Sequence, residues 1–128
     1  MEKAKTYAAI DIGSNAARLL IKRIDRNATQ KSDFKKLLLL RVPLRLGFDV
    51  FKEGKLSKKK MEQVVRLLKA YRQLMKIYDV ETYRACATSP IRDAKNGQEV
   101  LRAVKKETDI AIEIISGQEE ARMIYENH

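Results

Sequence analysis

The chain is nearly devoid of the side chains that most enzymes use as nucleophiles or metal ligands. In 128 residues there is one cysteine, one histidine and no tryptophan. A lone Cys86 cannot close an internal disulfide. With only His128 beside it, the composition argues against a zinc site as well. The same scarcity excludes a Cys-His or Ser-His nucleophilic couple within the chain. Cys86 sits in an apolar segment, where a buried thiol is expected rather than a reactive one. Aromatic residues are also few, 5 Tyr and 3 Phe, and they do not interleave with basic residues. That argues against a nucleic-acid partner. No apolar run approaches the ~18 residues of a membrane span. The opening residues run into a strand and lack the apolar core of a signal peptide, so a cytoplasmic protein with no membrane partner is expected.

Charge is what the chain has in abundance. Asp, Glu, Lys and Arg make up 34% of residues, and the net charge is +10. A basic balance suits a polyanion without saying which one. The basic residues are spread along the whole sequence. Their densest run, Lys58-Lys59-Lys60, falls at a helix start and reads as a solvated face.

Hydrophobic periodicity divides the chain into elements. Residues 6–12 and 16–24 read as strands joined by a tight turn, and residues 34–46 as a third, with Lys35, Lys36 and Arg41 pointing outward. Pro43 marks an edge or a bulge, and residues 47–54 read as a loop. Ser57 caps a long helix whose apolar stripe is Met61, Val64, Val65, Leu68, Tyr71, Met75 and Tyr78. Residues 80–87 and 110–115 are further strands. Asn96 caps a helix through Val100, Leu101 and Val104, and Ser116 caps a last one through Ala121, Ile124 and Tyr125. The order β-β-β-α-β-α-β-α predicts an α/β fold, a mixed sheet flanked by helices.

Polar constellations follow the strands. Asp11, Gly13, Ser14 and Asn15 follow the first, Thr88, Ser89 and Arg92 follow the 80–87 strand, and Ser116 to Glu120 follow the 110–115 strand. In open α/β sheets, ligands bind at the carboxyl ends of strands. A turn with exposed amides, a hydroxyl and one acid suits a phosphate, with the acid holding a hydrated metal ion. Ordinary hairpin chemistry explains Gly-Ser-Asn equally well.

Asp11-Ile12-Gly13-Ser14-Asn15 with Arg18, Arg45-Leu46-Gly47, residues 87–96 and residues 114–122, in register over essentially all 128 residues, resemble the exopolyphosphatase/guanosine pentaphosphate phosphohydrolase family. The resemblance implies a ribonuclease-H-like, actin-like ATPase-superfamily fold. It also implies a hydrolase removing terminal phosphate from inorganic polyphosphate, or the 5′-phosphate from guanosine pentaphosphate, with Mg²⁺ or another divalent cation. A homodimer is compatible with it. Two departures stand out. Ala16 replaces the usual Ser or Thr, and the family's Asp-x-Gly-Gly-Gly-Ser loop and second lobe do not occur in this sequence. Residues 1–128 are therefore expected to form the N-terminal part of the first actin-like lobe, with little activity in isolation.

Within that reading Asp11 is the metal residue, and Gly13, Ser14, Asn15 and Ser89 bind phosphate. Arg18 and Arg92 neutralise charge, although Arg18 also fits an outward strand charge and Arg92 a surface salt bridge. Glu119 occupies the third position of a capping box after Ser116 and so has a structural job. Glu120 has none, and the family's catalytic glutamate aligns with it, so Glu120 is the expected base. Two other functions fit the sequence: an actin-like or sugar-kinase-like nucleotide binder, and a non-enzymatic basic fragment that binds polyanions.

Overall fold

In β1, Lys5–Ile12, burial alternates residue by residue, with Thr6, Ala8, Ile10 and Ile12 on the buried side. The strand is therefore sealed on one face only. The computed structural model describes residues 4–24, 34–116 and 118–119. Its remaining elements are β2 (Ala16–Ile24), β3 (Phe34–Pro43), α1 (Leu46–Glu53), α2 (Lys58–Ile77), β4 (Thr82–Ala87), α3 (Ser89–Asp93), α4 (Gly97–Thr108) and β5 (Glu113–Ile114).

The five strands lie in the order β3-β2-β1-β4-β5. The first three form an antiparallel meander, and β4 and β5 add in parallel beside β1. Parallel neighbours need crossovers, and the helices supply them. Helices α2 and α4 seat Val64, Leu68, Tyr71, Met75, Val100 and Val104 on Ile10, Ile12, Leu19, Ile21, Ala85 and Ala87. Burying each of the larger of these side chains stabilises the fold by about 1.5–3 kcal/mol. This is the mixed sheet with helices that the sequence predicts.

Helix α2 begins where expected, because Ser57 Oγ accepts the Lys60 N–H at 3.1 Å. No described helix is long and apolar enough to cross a membrane.

Several boundaries differ from the expectation. Residues 47–54 belong to helix α1, with Gly54 at its C-cap, rather than to a loop. Only Leu46 is buried in α1, while Phe48 and Phe51 are 68% and 93% exposed. No clean apolar stripe announces this helix. A second short helix, α3, begins directly after β4. The third strand ends at Pro43, β4 starts at Thr82, and β5 pairs only over Glu113–Ile114. Residues 118 and 119 are helical, and the rest of the expected last helix lies outside the described residues.

Candidate active site

The described residues of the polar constellations lie at one edge of the sheet. β1, β3, β4 and β5 end there, and β2 starts there. Register fixes this: Ile12 pairs with Ala17 and Ala87, Ala87 with Ile114, and Ala16 with Pro43. Two further bonds close the edge. Thr88 N–H donates to Ile12 O at 3.1 Å, and Ile115 N–H donates to Ala87 O at 3.0 Å.

The β1–β2 turn is a two-residue hairpin closed by the Gly13 N–H on Ala16 O at 3.0 Å. Its carbonyls are committed to the segment that opens α1. Ser14 O accepts from Gly47 N–H at 3.0 Å, and Asn15 O accepts from the Leu44 and Arg45 N–H groups at 3.1 Å each. Arg45 takes a left-handed conformation, φ 55°, to make this approach, unusual for a residue with a Cβ. The amides of Ser14 and Asn15 make no backbone hydrogen bond among the described residues. This leaves donors at the wall of a concavity of about 250 Å³ lined by Asp11, Gly13, Ser14, Asn15, Ala16, Arg18 and Arg41.

The structure brings Asp11, Gly13, Ser14, Asn15 and Arg18, all singled out from the sequence, around one space. Arg41 is the residue the sequence reading missed. Period-two alternation puts Arg41 on a face but does not say which residue lies beside it. Its cross-strand partner is Arg18, a pairing visible only once strand register is known.

Asp11 belongs to a lateral row on the face opposite the helices. Arg41 pairs with Arg18, Arg18 with Asp11, Asp11 with Cys86, and Cys86 with Glu113. Cys86 is fully buried, as expected, with its Sγ 3.8 Å from Glu113 Oε1. Burial, with the charges of Glu113 and Asp11 nearby, pushes its thiol up to about 11. It therefore stays protonated at neutral pH.

Ser89 and Arg92 do not line the concavity. Ser89 opens α3. Arg92 Nε lies 3.2 Å from Asp93 Oδ1, and its Nη1 donates to Ile115 O at 3.4 Å, so its guanidinium ties α3 to the end of β5. Ser116 Oγ accepts the Glu119 N–H at 3.1 Å, as the capping reading requires. The Glu119 carboxylate lies 3.9 Å from Arg84, which also bonds Glu113 at 2.7 Å. Glu120 lies outside the described residues. Asn96 corrects another expectation. Its side chain makes no cap bond to α4 but bridges Leu56, accepting from its N–H at 2.9 Å and donating to its carbonyl at 2.8 Å.

The donor set suits a hard cation held loosely. No group of three or more His, Cys, Asp or Glu converges among the described residues. One carboxylate beside hydroxyl and amide oxygens matches hydrated Mg²⁺, which keeps most of its waters and shares one or two carboxylates with substrate phosphates. A larger groove of about 520 Å³, lined by Lys69, Arg72, Lys76, Glu107 and Asp109 among others, lies between the far ends of α2 and α4. It is away from the strand ends, and Lys69 is already paired with Glu107 at 2.8 Å.

Comparison with known proteins gives a consistent answer. The model of the Ppx/GppA phosphatase family matches residues 21–127. A bifunctional 3-dehydroquinate synthase/phosphatase of Fusobacterium nucleatum is 37% identical over 119 residues, covering 89% of this chain and 18% of that one. A guanosine-5′-triphosphate,3′-diphosphate pyrophosphatase of Aeromonas hydrophila is 31% identical, over 98% of this chain and 24% of its own length. The crystal structure of the Aquifex aeolicus member of the Ppx/GppA family superposes with a TM-score of 0.84 at 33% identity, over 94% of this chain and 38% of that one. The chain thus spans about a fifth to two fifths of these relatives' lengths.

Proposed function

The chain belongs to the Ppx/GppA phosphatase family, and on that premise we propose that it is the N-terminal part of the first actin-like lobe of a phosphohydrolase. The substrate class is inorganic polyphosphate, cleaved at its terminal phosphate, or guanosine pentaphosphate, cleaved at its 5′-phosphate. The carrying observation is the convergence of Asp11, the Gly13–Ser14–Asn15 hairpin and Arg18 on one concavity at the strand ends.

Phosphoryl transfer asks a protein mainly for positioning and charge neutralisation. In this reading the hairpin amides and the Ser14 hydroxyl hold the oxygens of the terminal phosphoryl group. Arg18 balances its charge from the returning strand. Ser89 and Arg92 contribute from the β4 side of the edge. Asp11 would hold a divalent ion, which would supply further charge neutralisation. Glu120 orients the attacking water and takes its proton on the carboxylate as the water oxygen bonds to phosphorus. The bond to the leaving phosphate oxygen breaks in line, and its electron pair leaves with the shortened chain. The partner surface of the cleft, including a second phosphate loop, belongs to the longer protein in this proposal.

The test is a pair of variants in a full-length protein carrying this segment. Glu120→Gln should lower kcat by about 10²–10⁴-fold and leave substrate affinity unchanged, because the amide can orient a water but cannot accept its proton. Glu119→Gln should stay near wild type, because glutamine also serves the capping box. The reverse pattern moves the base to Glu119. Full activity in both variants removes the assignment altogether.

A further inference from the structure

Arg18 and Arg41 are cross-strand partners on β2 and β3. Their Cα atoms are therefore about 4.5–5.5 Å apart with both side chains on the same face. Like charges placed directly opposite each other destabilise a sheet. Neither guanidinium has an ion-pair partner among the described residues. Both arginines line the concavity that holds Asp11 and the hairpin.

The lateral row gives the pair a direction. From Asp11 toward one end of the sheet the neighbours are Arg18 and then Arg41. Toward the other end they are Cys86 and Glu113. Along this row, a linear anion whose terminal group sits at the hairpin meets two successive positive charges, unpaired among the described residues, over β2 and β3. Over β4 and β5 it meets a neutral thiol and then the Glu113 carboxylate, which is already engaged with Arg84 at 2.7 Å.

We propose that Arg41, set opposite Arg18, forms a second anion subsite, which takes the phosphates adjoining the terminal one and directs the rest of a phosphate chain across β3. The inference rests on the phosphate-binding reading of the hairpin and adds to it a residue, Arg41, and a direction of exit. Arg41 is a specificity residue: it distinguishes anions by how many phosphates follow the terminal one.

The experiment uses the 128-residue chain with orthophosphate and tripolyphosphate as probes, at about 0.15 M salt to screen long-range attraction. Arg41→Gln should weaken tripolyphosphate binding about 10-fold or more, as expected for loss of a charge-assisted hydrogen bond, and leave orthophosphate binding within about twofold. Arg23→Gln is the control: it removes the same charge from the neighbouring strand β2, on the opposite face. Equal loss for both anions, or no more loss than in Arg23→Gln, overturns the proposal. Guanosine triphosphate separates the two sources of a phosphate chain. Equal loss for it and tripolyphosphate supports a subsite that reads phosphates alone, and loss confined to the nucleotide overturns that. In the unsubstituted chain, NMR distinguishes the subsite from the reading beneath it. Tripolyphosphate should shift both the Gly13–Ser14–Asn15 amides and the Arg41 Nε–H. Shifts in the hairpin alone reject the subsite and keep the reading. Shifts at Arg41 alone reject the hairpin and leave an isolated arginine site. No shift at either rejects both.

Discussion

Gly47 lies so close to Ser14 that a Cβ built on it would stand 2.0 Å from Ser14 Oγ and 3.2 Å from Ser14 Cβ. The two residues are also joined through the backbone, Gly47 N–H to Ser14 O at 3.0 Å. The start of α1 is therefore the floor on which the hairpin rests. A sequence-level reading of Gly47 as loop material misses this role, since the glycine is needed for close approach within a helix, not for flexibility.

Gly47→Ala is expected to force the Ser14 side chain aside and to destabilise the fold by about 1–3 kcal/mol, the usual cost of overpacking. Orthophosphate affinity should fall with it. Gly97→Ala is the comparison, because its Cβ would meet the Ile91 carbonyl oxygen at 2.0 Å, away from the concavity. That variant should lose at least as much stability, because a backbone oxygen cannot turn aside as a hydroxyl can, but keep anion affinity. Urea titrations with calorimetric binding measure both. Equal anion affinity in the two variants would remove the buttressing role of Gly47.

Asn96→Ala should cost about 1–3 kcal/mol, because it strips both partners from the Leu56 backbone. Asn96→Ser separates this bridge from a helix cap. Serine caps helices as well as asparagine does, but it cannot span to both Leu56 groups. The serine variant should therefore be as unstable as the alanine variant in chemical denaturation. Full rescue by serine would restore the capping role.

Tyr71 is 1% exposed, and its Oη finds no hydrogen-bond partner among the described residues. Tyr71→Phe should therefore be neutral or stabilising, by up to about 1 kcal/mol. Burial pushes the Tyr71 hydroxyl up to about 12 from the usual 10.0. The folded state holds this proton more tightly than the unfolded chain does. The resulting contribution is complete below pH ~10 and is lost as pH rises toward ~12. Cys86 adds a loss of the same sign toward its value of about 11. Between pH ~10 and ~12, Tyr71→Phe should lose less stability than the unsubstituted protein. Parallel pH dependences would show that Tyr71 titrates normally.

The 128-residue chain alone is expected to hydrolyse polyphosphate far more slowly than ~1 per second, the low end of ordinary turnover. In the proposed function, its residues reach a phosphoryl group from one side only. Phosphate release at enzymatic rates by the purified chain would show that the first-lobe segment is sufficient.

The sequence by itself determined what depends on local chemistry and on a single strand or helix. The apolar alternation of β1, the stripe Val64-Leu68-Tyr71-Met75 on α2 and the Ser57 and Ser116 caps are local periodicities and local hydrogen bonds. They are written in neighbouring residues, and a reader needs no fold to see them. The hairpin residues Asp11, Gly13, Ser14 and Asn15 were legible for the same reason. Tertiary structure alone decided the rest. Arg41 looks like any outward strand cation until register sets it beside Arg18. Asn96 looks like a cap until the α1–α2 connection brings the Leu56 N–H within 2.9 Å. Helix α1 itself hides its pattern, because it buries only Leu46 and leaves Phe48 and Phe51 outside. In each case the deciding partner is tens of residues away in the chain, and no local period or propensity carries information about which distant segment arrives.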